Sequence, residues 1–478
     1  MTKSIDIINN PKNAFWKLST PIFLLSLFNA FYSMVDLFWV SQMSPEAFFA
    51  VGVAHPLVKL ITGFGESIGT GTNSIISREI GEKDYKNSYN SILHGIMTCI
   101  ILGVVLILII PFLKNILNIM GVTKSIDLAI DYLTPIFIFS FIFLISKLFV
   151  STLQAEGNTR TPTIVLIITN ILNLILDPLF IFVFNWGVAG IAYATIISTS
   201  ISVIYFLYLY LSGKTEVILN LKYFKLGIVY EIFIVAIPNL IMDMLWSFYT
   251  MYINSILIAQ LGQIGVLLYS TASQIETLIT TPHQGFDRSL VTICGQLFGA
   301  NKIQKLKEIY NYSLKYSLII SLTCTIVFFI IRDYGFALFS VTGAETSVFY
   351  IALAGIVIVS AENVSKLSVK MLDGLGKSYH SLILTNGMII FEMILILLLA
   401  PVLTSGVCIL VGMLLTELIF AIIYLAVVRS ILNGENKLEE DLVYKEEEFE
   451  RKKEEFERKK EEFERKKEEY ERKKEERG

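Results

Sequence analysis

The chain has 478 residues, with 39 Lys and Arg against 42 Asp and Glu and a formal charge of −3. Residues 435–478 hold 15 basic and 19 acidic side chains, leaving 24 basic and 23 acidic over 1–434. Only about a tenth of that body is charged, against roughly a quarter in soluble domains, which excludes a water-soluble globule, and its near-zero charge excludes a nucleic-acid footprint.

A helix needs about 20 mostly apolar residues to cross a bilayer. Apolar runs divided by turn chemistry at Ser44-Pro45, Asn185-Trp186-Gly187, Gly262, Pro401 and Ser405-Gly406 predict twelve spans. They lie near 14–42, 46–76, 88–113, 127–154, 161–184, 188–212, 225–259, 264–297, 308–331, 346–373, 379–400 and 405–431. The first run is long and has no small-residue cleavage site, so it is expected to stay as a span. Cys99, Cys294, Cys324 and Cys408 are far apart in apolar stretches, and no disulfide framework is expected.

Short-loop Lys and Arg set orientation. With the N-terminus inside, fifteen fall on the cytoplasmic side (Lys3, Lys12, Lys17, Arg78, Lys83, Lys86, Arg160, Lys214, Lys222, Lys225, Lys302, Lys305, Lys307, Lys370, Lys377) and three outside (Lys114, Lys124, Arg332). Both termini are therefore expected in the cytoplasm.

Positions 18–81 and 235–299 read alike at an offset of 217 or 218, with Pro21 matching Pro238 and Gly81 matching Gly299. LQAEGNTRTP at 153–162 has a counterpart in LDGLGKSYHS at 372–381. The repeat holds six spans, so the two halves insert in the same orientation, related by an axis along the membrane normal. The expected fold is all-α, a polytopic membrane protein of twelve transmembrane helices in two like-oriented six-helix lobes. The divisions are an N-terminal segment 1–13, an N-lobe 14–218, a C-lobe 219–432 and a charged tail 433–478.

Ionisable residues at bilayer depth are functional suspects: Asp36, Lys59, Glu66, Lys147, Asp177, Asp243, Glu276, Glu362, Lys366, Glu392 and Glu417. Lys147 can snorkel to the inner face, and Lys59 and Glu66, on one helical face, can neutralise each other. Counting from the outer span ends at about 1.5 Å per residue puts Asp36, Asp177 and Thr195 at one depth, roughly 10–12 Å below the boundary. Asn173 precedes Asp177 by four and shares its face, while Pro178 frees the carbonyl of Leu174. This all-oxygen set suits a hard alkali cation. The two carboxylates can instead share a proton, or belong to separate networks that join helices.

These stretches resemble the multidrug and toxic compound extrusion (MATE) transporters: STPIFLLSLFNAFYSMVDLFWVSQ at 19–42, AVGVAHPL at 50–57, LQAEGNTRTP at 153–162, NLILDPLFI at 173–181 and GVAGIAYATIIS at 187–198. The similarity covers about 14–431 and is nearest the archaeal and DinF-type branch. It implies antiport of organic, cationic or amphiphilic compounds against Na⁺ or H⁺, with no cofactor. The family's N-lobe cation site maps onto Asp36, Asn173, Asp177 and Thr195, and its bending first-span proline onto Pro21. Another branch has an acid in span 7 where Trp246 stands here, with Asp243 three residues early, so a C-lobe site at that acid, or at Glu362 or Asp373, is not assigned. Phe28, Phe31 and Tyr32 on span 1 and Trp246, Tyr249 and Tyr252 on span 7 are candidates for stacking on a substrate; facing lipid or core is their other reading. A related alternative is a lipid-linked oligosaccharide flippase, which needs deep bases such as Lys59 and Lys366.

No enzyme is expected. GESIG at 65–69 matches a nucleophile-elbow pattern but sits inside a helix, and LGKS at 375–378 lacks the first P-loop glycine. Residues 446–476 repeat EEFERKK every seven, with one narrow aromatic stripe and i,i+4 Glu–Lys pairs. They predict a solvated cytoplasmic helix that transport does not need. The expected molecule is a multi-pass cell-membrane protein whose partners are a small organic substrate and lipid. It is read as a monomer, with weak association through the tail as the minority reading.

Overall fold

The computed structural model describes residues 6–119, 125–217, 226–261, 263–338, 359–403 and 407–435. The charged tail beyond 435 and residues 339–358, where the tenth span is expected to begin, lie outside them, as do the side chains of Asp243 and Glu276. Among the described residues every regular element is helical. In chain order they are α1 (Pro11–Ser41), α2 (Pro45–Gly81), α3 (Tyr85–Ile107), α4 (Leu113–Ile119), α5 (Ile126–Ile138), α6 (Ser140–Ala155), α7 (Arg160–Pro178), α8 (Gly187–Leu211), α9 (Leu226–Leu261), α10 (Gln263–Gly299), α11 (Ile303–Leu338), α12 (Val359–Gly374), α13 (Ser378–Leu399) and α14 (Val407–Glu435). The fold is that of a polytopic all-α membrane protein. The chain divides into two compact units, 1–426 and 427–478; the described part of the second, 427–435, is helical.

The starts of the first two helices follow from local chemistry. Asn10 and Ser44 precede a proline at the first helical position and accept from Asn13 N (3.3 Å) and Ala47 N (3.1 Å). Side chains such as Ile101, Leu108, Ile175, Ile204, Leu398 and Ile422 are more than 60% exposed, as an outer wall against lipid tails requires. Cys99, Cys294 and Cys408 are buried thiols.

Span 4 departs from the expected continuous helix over 127–154. It breaks at Phe139 into α5 and α6, bent by 54°. Pro135 cannot donate to the carbonyl four residues back, and Phe139 leaves helical geometry at φ −99 and ψ 18. Span 5 stays helical through Pro178 but widens into a π turn at Leu179–Val183, a form of helix distortion common at functional sites.

The repeat has a backbone signature. Left-handed residues recur at offsets of 218 and 219: Lys83 (φ 63) with Asn301 (φ 53), and Gly157 (φ 80) with Gly376 (φ 71). Offsets of 217 in the first span of each half and 219 beyond Gly157 carry Tyr32 and Asn173 onto Tyr249 and Glu392, and each pair is hydrogen-bonded, Tyr249 Oη donating to Glu392 Oε1 at 2.5 Å. They carry Asp36 and Asp177 onto Ile253 and Ile396, fully buried members of one apolar cluster with Tyr249.

At the Lys/Arg-rich end α2 and α10 cross with almost no space between backbones. A Cβ on Gly81 would lie 2.2 Å from the Gln296 carbonyl oxygen, and one on Gly299 2.0 Å from that of Arg78. Polar side chains fasten the crossing. Asn73 Nδ2 donates to Ser151 O (3.0 Å) and Thr292 Oγ1 (3.3 Å), Gln296 Nε2 to Ala155 O (2.7 Å), and Ser74 Oγ to Asp373 O (2.5 Å). In membranes each such bond is worth about 0.6 kcal/mol on average.

At the same end Glu156, just beyond α6, accepts from the amides of Glu216 (3.0 Å) and Val217 (3.3 Å). Burial pushes its carboxyl up to about 8, although both amides favour the ionised form. A folded-state value above the unfolded one stabilises at low pH, and that stability is lost as pH rises through about 8. The melting temperature of the purified protein should therefore fall between pH 6 and 9. Glu156→Gln should flatten that slope; an unchanged slope in the variant would assign it to another group.

Candidate cation site and central cavity

α1 changes partners along its length. Its first half lies on α10, with Ser19 Oγ 2.7 Å from Ser289 Oγ, and its second half on α7, with Asn170 Nδ2 donating to Asn29 Oδ1 at 2.9 Å. Pro21 sits near the exchange, and the helix continues through it. Its missing amide leaves the Lys17 carbonyl without the helix partner.

Beyond that exchange the depth-matched residues converge. Asp36 on α1 and Asp177 on α7 are neighbours. Asn173 Nδ2 donates to Asp177 Oδ1 at 3.2 Å, and Tyr32 Oη donates to Asn173 Oδ1. Thr195 on α8 lies by the Tyr32 hydroxyl and donates to Ile191 O at 3.0 Å. Tyr132 on α5 closes the group.

Asp177 and Asn173 are buried at 0% and 1% exposure. Asp36 Oδ1 and Asp177 Oδ2 are buried with no hydrogen-bond partner. An unmet carboxylate oxygen away from water is costly. The group's donor set is all oxygen, which fits H⁺ or an alkali cation.

A separate cavity of about 390 Å³ lies between α2, α6, α9, α10 and α12. Its charged lining is Glu66, Lys147, Asp287, Arg288 and Lys370. Two sequence expectations change here. Glu66 is neutralised across helices, by Lys147 at 2.7 Å and Arg288 at 3.3 Å, rather than by Lys59. Lys147 is held on that carboxylate and does not snorkel. Lys370, assigned to the inner loops, also lines the cavity and pairs with Asp373 at 3.2 Å. Glu362 pairs with Lys366 at 2.6 Å. Sequence reading missed Asp287 and Arg288; their signal is an adjacent acid and base in the middle of a long span.

None of the six candidate aromatics lines this cavity. Tyr249 and Tyr252 turn into α13, Tyr252 Oη donating to Met393 O at 2.9 Å. Trp246 is partly exposed and stacks on Tyr249, with centroids 5.2 Å apart. Phe28 is half-buried and Phe31 is exposed, while Tyr32 belongs to the cation group.

A family model described as MatE matches residues 21–179 and 238–398. The multidrug export protein MepA of Staphylococcus aureus (strain MSSA476) is 26% identical over 335 residues, 68% of this chain and 73% of that protein. A crystal structure of MATE in the bent conformation superposes with a TM-score of 0.87 at 25% identity, covering 92% of this chain and 99% of that one. The straight conformation gives 0.86 at 25% identity, covering 91% and 100%.

Proposed function

Since the chain belongs to the MatE family of multidrug efflux transporters, we propose that it is a multi-pass cell-membrane antiporter. It exports organic amphiphilic compounds against an inward flow of Na⁺ or H⁺, with both termini in the cytoplasm. The observation that carries the coupling is the meeting of Asp36 and Asp177, each with a buried unmet oxygen, on helices α1 and α7. A cation entering there supplies what both oxygens lack and removes their repulsion. It therefore favours the arrangement in which α1 lies close against α7. Without it the carboxylates drive apart, and the outer half of α1 is free to move about the carbonyl left open by Pro21. A ligand shifts such an equilibrium only by its differential affinity for the two states, and here the difference is one positive charge between two acids.

The flippase alternative asked for bases at Lys59 and Lys366. Lys59 is exposed on α2 and Lys366 is paired with Glu362, so the efflux reading stands first.

Proteoliposomes loaded with ethidium test the reading. Dye movement should accelerate several-fold when a Na⁺ or H⁺ gradient is imposed in the exchanging direction, and the effective ion identifies the coupling. Equal rates with and without both gradients would refute coupled transport.

A further inference from the structure

The charges around the central cavity are separated into two ends. Lys147 Nζ and Arg288 Nη2 converge on one oxygen, Glu66 Oε1, so two cations share one carboxylate, and the balancing acid, Asp287, stands to one side of them. Arg288 has five N–H donors in a fixed fork, and the contact to Glu66 uses one of them at 3.3 Å. On the neighbouring position of α10, Asp287 Oδ1 is buried without a hydrogen-bond partner. Lys370 reaches Asp373 and Asn239, and Lys366 reaches Glu362. A cationic end thus stands beside an acidic one with an unmet oxygen, in a space of about 390 Å³, the size of a small-molecule pocket.

We propose that this cavity binds an amphiphile whose head carries an anionic group, a phosphate or carboxylate, beside a hydroxyl or ammonium donor. The anion lies between Lys147 and Arg288, where the guanidinium fork matches two of its oxygens. The adjacent donor meets Asp287. A purely cationic compound gains only the Asp287 contact and meets Lys147 and Arg288 at the other end of the cavity. The substrate part of this inference rests on the efflux reading; the binding itself does not.

Binding to the purified full chain in detergent tests it, with three probes: 1-oleoyl lysophosphatidylglycerol, glycerol 3-phosphate and ethidium. Lysophosphatidylglycerol should bind at least tenfold more tightly than ethidium. Glycerol 3-phosphate binding equally well would assign the site to a soluble phosphate, and its failure to bind would assign it to a lipid head. Lys147→Gln with Arg288→Gln should weaken phosphate binding at least tenfold, and Glu66→Gln, which releases both cations, should strengthen it several-fold. If the double variant does not fold, Arg288→Lys, which keeps the charge and loses the fork, should weaken binding several-fold. Phosphate affinities that move with none of these substitutions, or tighter binding of ethidium than of both phosphates, overturn the proposal. Gradient-driven ethidium efflux alongside such a result leaves the coupling intact. Loss of gradient dependence with phosphate binding retained overturns the coupling alone.

Discussion

Asp36→Asn and Asp177→Asn should each bring gradient-driven efflux down by on the order of 100-fold, the scale of a coupling free energy of about 3 kcal/mol, with expression and melting temperature near wild type. Asparagine keeps the volume and the capacity to hydrogen-bond, so the packing of α1 on α7 survives; what disappears is a negative charge. With one carboxylate gone, the repulsion between the two acids is gone with it, and the difference between ion-bound and ion-free states collapses. The two single variants and the double should be about equally inactive, because both acids act on one ion and effects within such a unit are not additive. The measurement is dye efflux in proteoliposomes under an imposed gradient. Either single variant pumping at the wild-type rate would show that the pair does not couple transport.

The second large effect is expected at the far end of the molecule. Gly299→Val should abolish transport while leaving both helices formed. Its first side-chain atom would fall 2.0 Å from the Arg78 carbonyl oxygen and 2.8 Å from the carbonyl carbon. Backbone cannot swing aside as a side chain can, so the cost should exceed the roughly 1–3 kcal/mol of ordinary overpacking. The helices would relieve it by parting, breaking the Asn73–Thr292 and Gln296–Ala155 bonds. Cys294, fully buried on α10 against Gly374, reports this directly. Its thiol should resist a maleimide in the wild type and react in the variant, with Cys294→Ala as the blank. A variant that still pumps, or a thiol that stays protected, would mean that the crossing does not open.

Much of this was written in the sequence, because the relevant physics is local. Apolar run length marks spans, and depth follows from counting residues to a turn. That arithmetic placed Asp36, Asp177 and Thr195 at one level, and the structure joins them through Tyr32 and Asn173. Effects set by contact between distant segments were not legible. Glu66 has partners 81 and 222 residues away, and nothing in the spacing of Lys59 and Glu66 reveals that the nearer lysine is not the one used. The 54° bend at Phe139 depends on a proline that many transmembrane helices absorb without breaking. The aromatics of α9 read as cavity wall because stacking chemistry is visible in a sequence, whereas the direction in which a helix faces is not.

The duplicated frame is chemically lopsided. In the second half Tyr249 and Glu392 reproduce the clasp of Tyr32 on Asn173, yet Ile253 and Ile396 stand where the first half has its two acids. On the proposed mechanism, the two-acid chamber at this level belongs to one half alone, while the other offers a single carboxyl, Glu392, clasped by a tyrosine. The ancestry of the fold therefore copied the frame without copying the paired chamber, and a stroke begun by ion entry in one lobe has to be followed by the other.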